Sequence, residues 1–460
     1  MMKLCSGLGD FDEFVRLTEG ITSFSSVGIR PGLRRVSRLF GLLGSPQLSL
    51  RTIHVLGTNG KGSTAAALEA VLKEAGFKTA LYTSPHLISL QERLRIDGMY
   101  ASLEDWRASW DRITETVERD RELSSDRPSF FEHFTALCVM MMKEAGADMV
   151  ILEAGMGGRY DATSVCSPIA TLINPIGMDH MQYLGPTIEA IAGEKFAAVK
   201  KGRDAFYAGD DGSLTPMFLG ECEASGAIPH VLDRMAFPSD IACTLEGTSF
   251  SYSAPEVPGL DPGYRETFFT PLAGRHQAYN SARVITTLLT LKNKFPEFAS
   301  VDSRLIKRGF EKIDWPCRLE LTRTKDGRGI ILDGAHNNHA MRALVSSIGS
   351  MPDGDRGVRV GGIVFAVMKD KDIPLILGTL KSLGSPIYCT EVRMERSEKA
   401  GGLAAEAERC GMSVAGVFKD PSDALKKAMA ETGPDEFILC CGSLFLAGYI
   451  RKLLKFDGIY

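Results

Sequence analysis

The sequence predicts an α/β fold organised in two domains. Three observations carry that prediction. Arg51 to Gly76, RTIHVLGTNGKGSTAAALEAVLKEAG, reads as a strand, a glycine-rich loop and a helix. Short apolar runs that end on polar or charged residues recur along the chain, as buried strands do. After Trp315-Pro316-Cys317-Arg318 a second series of strands and helices begins, so the chain divides into 1–312 and 313–460.

The composition narrows the class. At 460 residues the chain can bury two or three cores, and its 44% hydrophobic and 24% charged residues are ordinary globular values. A formal net charge of −4 gives no reason to expect nucleic acid or an acidic membrane as partner. Ten cysteines are scattered without a C-x-x-C pair, which argues against a zinc ribbon or a thioredoxin-type site. Buried free thiols in a reducing compartment are expected instead. The first residues, MMKLCSGLGDFDEF, lack the apolar core of a signal peptide. No run approaches the ~18 apolar residues that span a bilayer. The expectation is a cytoplasmic protein, acting as a monomer.

Ile53, Val55 and Leu56 make the strand of the first motif, and Gly57-Thr58-Asn59-Gly60-Lys61-Gly62-Ser63 the loop. Leu68, Val71, Leu72 and Ala75 then share one face of a helix that stops at Gly76. Glycines let backbone N–H groups turn toward phosphate, and a helix N-terminus favours negative charge. Lys61 adds a point charge for terminal phosphates, and Ser63 a hydroxyl for metal or phosphate. The loop departs from G-x-x-x-x-G-K-[ST], with Val55 in place of the first glycine and Gly62 between Lys61 and Ser63. Glycines alone could make a mere turn; lysine, hydroxyl and helix start in that order make a phosphate loop of a variant kind.

The remaining elements follow in order. Asp10 to Leu43 reads as helix, loop and helix, punctuated by Gly28, Pro31 and Gly32. Lys78 to Tyr82 is a strand that ends in Thr83-Ser84-Pro85-His86, where spacing alone makes Ser84 a turn residue. Leu103 to Arg119 is a helix, and Ser129-Phe130-Phe131-Glu132 opens another. Asp148 to Leu152 is a buried strand that delivers Glu153 beside the loop, the geometry that Mg2+ bound to phosphates requires. In the following Gly155-Met156-Gly157-Gly158-Arg159-Tyr160 a tyrosine stands where G-x-G-x-x-G needs glycine, so a dinucleotide fingerprint fails. Ile169 to Ile173 is a further strand, with His180 shortly beyond its end. Thr187 to Lys200 is helical, and Glu194 and Lys195 read as a solvated face. Arg203 to Pro271 alternates short apolar pieces with Gly, Pro and Ser and reads as irregular strands. Gly274 to Leu291 holds a helix. Later strands are expected at Gly329 to Leu332, Arg359 to Val367, Pro386 to Cys389 and Phe437 to Cys441, with helices from Ala340 and after Gly442-Ser443.

Eight stretches in one order, HVLGTNGKGS, LYTSPHL with ERLRIDG, FFEHFTA, ILEAGMGGRYDAT, GMDHMQYLG with GEK, GRHQAYN, ILDGAHN and GSLFLAG, resemble the folylpolyglutamate synthase/dihydrofolate synthase family of the Mur ligase superfamily. The resemblance implies an N-terminal P-loop domain of the Mur ligase central type, and a smaller Rossmann-like C-terminal domain, with ATP at their interface. It implies that Thr58, Asn59, Gly60, Lys61, Gly62 and Ser63 hold ATP phosphates. Ser84, Glu153 and His180 match metal ligands for a pair of Mg2+ ions, which overrides the turn reading of Ser84. Lys195 matches a lysine that is carbamylated in the family and so becomes an anionic ligand. Asn280, Arg318 and Asp333 match nucleotide contacts, and His336 lies in a motif that faces the active site. The pterin side matches Ile29, Arg30 and Pro31, Ser129, Phe130, Phe131 and Glu132, and Tyr160, Asp161 and Ala162. Departures from the family pattern fall at Arg34, Met156, Tyr160 and Asn338, away from the phosphate and metal chemistry.

The implied activity is ATP-dependent ligation of L-glutamate to dihydropteroate, to reduced folates, or to both. Lys61, Glu153, His180 and Lys195 are the expected catalytic set. A P-loop switch ATPase would leave DGAHN and GRHQAYN without a purpose. A catalytically dead nucleotide-binding protein would be expected to have lost Lys61, Glu153 or His180. Another Mur-type amino acid ligase is the nearest alternative, and FFEHFTA with GRYDAT favours the folate branch.

Overall fold

The computed structural model describes residues 2–5, 30–209, 212–352 and 357–455. The helix expected from Asp10, and Ile29 of the candidate pterin loop, lie outside the described residues. The chain divides into two compact units. One comprises Met1–Phe237, Tyr252–Glu266 and Asn280–Lys312; the other comprises Pro238–Ser251, Thr267–Tyr279 and Ile313–Tyr460.

The first unit is built on seven strands: β1 (Thr52–Leu56), β2 (Thr79–Tyr82), β3 (Leu94–Ile96), β4 (Met149–Glu153), β5 (Ala170–Ile173), β6 (Asp204–Tyr207) and β7 (Ile228–Val231). They lie in the order β3-β2-β4-β1-β5-β6-β7, parallel except for β3. Most are short runs of Ile, Val, Leu and Ala buried along their whole length, as a sheet covered on both faces demands. The chain leaves β1 in one direction toward β4 and β2 and returns on the other side as β5. A crevice therefore opens at the carboxyl end of β1, where open parallel sheets take their ligands.

The helix after β1, Lys61–Glu74, is buried on nearly every side through Leu72, where an amphipathic face was expected. The reason is a second helix, Ser303–Glu311, that covers its outer face. Gly309 there comes so close that a Cβ would stand 2.6 Å from the Val71 Cα. Arg308 donates to Glu74 at 2.7 Å and Lys312 pairs with the same carboxylate. The region read as irregular strands also resolves differently. It holds β6 and β7, a helix at Thr215–Ser225, and a three-stranded sheet of Phe237–Thr244, Gly247–Ser253 and Arg265–Thr270.

The second unit has its own six-stranded sheet, ordered Glu320–Arg323, Gly329–Leu332, Phe437–Cys441, Val360–Phe365, Ile387–Cys389 and Val414–Val417. Only the first pair is antiparallel. The last strand in the chain thus occupies an interior position. Its core gathers Ile331, Leu344, Ile363, Phe365, Leu377, Leu403 and Leu439, all essentially without solvent exposure. Among the described residues no helix is long and apolar enough to cross a membrane.

Candidate active site

The site grows from the end of β1. Gly57 has φ of +132°, and a Cβ there would stand 2.7 Å from the Cβ of Asn174, so the loop leaves its strand pressed against the end of β5. Thr58 closes that seam. Its N–H donates to Pro175 O at 2.9 Å, its hydroxyl donates to Gly177 O at 3.0 Å, and the Gly177 N–H donates back to the hydroxyl at 3.0 Å. Gly60, at φ of +82°, then starts the helix with no side-chain cap. A helix N-terminus without a side-chain cap is the kind of place where backbone N–H groups and the helix dipole favour an anion. Lys61 folds back over the loop and donates from Nζ to Thr58 O at 3.1 Å. A Cβ at Gly60 would meet Asn280 Oδ1 at 2.8 Å, so the helix Arg275–Lys292 brings Asn280 directly onto the loop.

Glu153 ends β4 in register with Val55 of β1. Its carboxylate is buried, and Oε2 accepts the Ser84 N–H at 3.0 Å, so Ser84 and Glu153 meet beside the loop. His180 lies beyond β5, exposed, as the N-terminal cap residue of the short helix Met181–Leu184 with φ of +52°. The solvated reading of Lys195 is overturned. Lys195 is 4% exposed, and its Nζ donates to Gly57 O at 2.9 Å, which puts the amine beneath the phosphate loop. Burial first, and then the Lys61 cation, push it down to about 7, with Asp179 and Asp161 opposing. The amine therefore gives up its proton far more readily than an ordinary lysine.

The loop after Glu153 is fastened from behind. Asp161 is buried, and its carboxylate accepts the Met156 N–H at 2.9 Å, the Thr163 N–H at 3.0 Å and the Thr163 hydroxyl. That hydroxyl also faces His54 Nε2 at 2.7 Å. Since the hydroxyl proton goes to Asp161, His54 must donate from Nε2, and burial pushes its imidazole down to about 3, so it stays neutral. Arg159 N–H donates to Glu194 O at 2.8 Å, which ties the loop to the helix that carries Lys195. The reading from sequence passed over His54 and Thr163. A polar residue inside the apolar strand IHVL was the available signal. Asp161 spends its carboxylate on holding this loop, while Tyr160 next to it is exposed and Ala162 is buried.

On the pterin side, Ser129 and Glu132 form a reciprocal cap at the start of the helix Phe130–Glu144, and Arg35 donates to the same Glu132 oxygen at 3.2 Å. Phe131 sits on Gly155, where a Cβ would come within 2.4 Å of its ring, and the Arg93 guanidinium covers the Phe130 ring at 5.6 Å. Arg30 pairs with Asp126 at 2.7 Å, next to the exposed Pro31. Arg34, a departure from the family pattern, pairs with Glu122 and Asp126.

In the second unit, Asp333 follows the strand Gly329–Leu332. It accepts the Leu319 N–H at 2.8 Å and the Ala335 N–H at 2.7 Å, and burial pushes its carboxyl up despite Arg318. Arg318 donates to Cys317 O at 2.8 Å, and a Cβ at Gly334 would meet its guanidinium at 2.8 Å. His336 Nδ1 lies 2.8 Å from Gly334 O.

Comparison with known proteins agrees with this architecture. Residues 55–288 match the Mur ligase middle domain and 317–444 the Mur ligase glutamate ligase domain. A dihydrofolate synthase/folylpolyglutamate synthase of Bacillus subtilis is 33% identical over 93% of this chain and 96% of its own length. A structure of Mycobacterium tuberculosis folylpolyglutamate synthase complexed with ADP and AMPPCP is 29% identical, covers 96% of this chain and 98% of its own, and superposes with a TM-score of 0.84. A structure of E. coli FolC in complex with DHPP and ADP is 25% identical over 95% of this chain and 97% of its own, with a TM-score of 0.81. The chain belongs to the Mur ligase family, in its dihydrofolate synthase/folylpolyglutamate synthase branch.

Proposed function

We propose that this protein joins L-glutamate to folates at the expense of ATP, releasing ADP and phosphate, and that it accepts both dihydropteroate and reduced folates. The observation that carries the reading is the uncapped phosphate loop with Lys61 over it and Glu153 and Lys195 alongside. The names of relatives that match over nearly the whole chain support the folate branch.

A carboxylate is a poor electrophile and must first gain a leaving group. Its oxygen attacks the γ-phosphorus of ATP, the bond to ADP breaks, and an acyl phosphate forms. The glutamate amine then adds to the carbonyl, loses its proton, and expels phosphate. Two anions meet in the first step, so cations have to be held in place. The backbone N–H groups of Asn59 to Ser63 and the ammonium of Lys61 would hold and align the phosphates, with Thr58 fixing the shape of the loop. Ser84, Glu153 and His180 would hold Mg2+: a hydroxyl, a buried carboxylate and an imidazole suit a cation that keeps water and phosphate oxygens as its other ligands. Mg2+, when bound, neutralises the phosphate oxygens on which charge develops. Lys195 would take up CO2 as a carbamate and add an anionic oxygen ligand; its depressed basicity supports this, since only the free amine reacts. Asn280, Arg318 and Asp333 are assigned to the nucleotide. Arg30, Pro31, Ser129 to Glu132, Tyr160, Asp161 and Ala162 are assigned to the pterin, with Asp161 acting on the shape of the loop. The part within 1–312 would bind ATP and pterin, and 313–460 would form the ligase domain. Free thiols at all ten cysteines, eight of them buried, support a reducing, cytoplasmic setting.

ADP release is the test, with Mg·ATP and L-glutamate and with dihydropteroate, tetrahydrofolate or no pterin. Release with both substrates is expected. Release with one alone would restrict the activity to that substrate, and equal release without either would overturn the folate reading.

A further inference from the structure

The turn that carries Arg318 is held in an unfavourable shape. Cys317 and Leu319, on either side of it, have φ of +57° and +51°, the left-handed region that non-glycine residues avoid. Two carboxylates keep it there. Asp333 accepts the Leu319 N–H, and the neighbouring Gly334 N–H donates to Cys317 O at 3.0 Å. From the other side Glu320 Oε2 accepts the Cys317 N–H at 3.0 Å. Glu320 is itself anchored on the helix Leu444–Lys455. Arg451 Nε lies 3.2 and 3.1 Å from its two oxygens, and Lys455 Nζ lies 2.5 Å from Oε1. Nothing in this arrangement leaves Glu320 for a substrate; its acceptors are spent on the turn and the helix.

We propose that Glu320 is a positioning residue for nucleotide use, fixing the Cys317–Leu319 turn so that the Arg318 guanidinium is presented in one orientation. The inference rests on the nucleotide contact assigned to Arg318. A flexible arginine presented from a loose turn would lose binding free energy to ordering on each encounter with ATP. The effect of losing Glu320 should therefore appear in the use of ATP and not in the use of glutamate or folate.

The experiment measures steady-state kinetics of the full chain with each substrate varied in turn, for Glu320→Gln, Arg318→Ala and the double variant. Glu320→Gln keeps the shape of the side chain and an acceptor oxygen but loses the ion pairs with Arg451 and Lys455. Its KM for ATP is expected to rise about tenfold, with KM for L-glutamate and folate within about twofold of the parent. In the double variant, kcat/KM for ATP should match that of Arg318→Ala alone, because Glu320 acts through Arg318. Multiplicative losses in the double variant, or an unchanged KM for ATP in Glu320→Gln while Arg318→Ala raises it, would overturn the proposal. An unchanged KM for ATP in Arg318→Ala would overturn the nucleotide role of Arg318, and the proposal with it, by a different readout. Arg451→Gln, which leaves the turn's own atoms untouched, should show the same selective rise in smaller degree and serves if Glu320→Gln does not fold.

Discussion

Each unit contains a strand that runs into a tight turn and then a helix, and the two turns are built for opposite purposes. After Thr52–Leu56 the helix starts at Gly60, at φ of +82°, with no side-chain cap. After Gly329–Leu332 the helix Asn338–Ser350 is capped by Asn337, whose side chain accepts the Ala340 N–H at 2.9 Å, and Asp333 accepts the Leu319 and Ala335 N–H groups. The first turn starts its helix without a side-chain cap and puts a lysine over the loop. The second satisfies its own backbone, and what it can offer is a side chain, His336. The same strand–turn–helix topology therefore carries two different helix starts, one capped by a side chain and one not.

The strongest way to break this comparison is at the lysine. Lys61→Ala should lower the rate of ADP release in the ligation assay by at least about 100-fold, the scale on which losing one preorganised charge acts on a transition state. Circular dichroism should be unchanged, since Lys61 contributes one hydrogen bond to its own loop. Glu153→Ala should match it, and wild-type turnover in either at ordinary Mg2+ would sink the site. Next in size is Gly60→Ala. The added Cβ would meet Asn280 Oδ1 at 2.8 Å in a left-handed backbone, so ATP affinity by calorimetry should fall about tenfold or more.

Lys195 sharpens the comparison through pH. Its folded pKa is lowered from that of a free lysine to about 7, so its amine is protonated below that value and free above it. Activity at fixed bicarbonate should rise as pH is raised through about 7, and Lys195→Ala should lose that rise and be partly rescued by small carboxylic acids. The same shift acts on stability. The unfolded chain keeps the lysine protonated up to its ordinary pKa, so the folded state is penalised at pH below about 7 and the penalty fades as pH rises above it. The smallest effect belongs to the other turn. Asn337→Ala removes a cap worth about 1 kcal/mol, which thermal unfolding should register as a lower midpoint.

The sequence made some of this legible and hid the rest for physical reasons. Glycines with a lysine and a hydroxyl are local signals, and the phosphate loop was read from them. Compact apolar runs such as MVILE and FILCC gave strands at nearly their observed ends. Spacing alone read Lys195 as solvated, because a charged pair on a helix says nothing about the loop that packs over it, and only the resemblance pointed to the site. The helix Lys61–Glu74 seemed one-sided because its outer cover, Ser303–Glu311, lies far away in the chain. His54, Thr163 and Asp161 each look ordinary alone, and only folding brings them into one hydrogen-bonded line. The strand Ile228–Val231, with Pro229 inside it and half of its residues exposed, carries little strand signal at all.

The placement of Phe437–Cys441 inside the second sheet has a consequence for how the protein comes into being. That strand joins Gly329–Leu332 to Val360–Phe365, yet the ribosome delivers it after every other strand of the sheet. Arg451, which holds Glu320 across 131 positions of sequence, arrives later still. A chain in the course of synthesis can complete its phosphate loop early, while the turn bearing Arg318 has no anchor until the C-terminal helix emerges. The shape of that turn is thereby set only once the second unit can close its sheet.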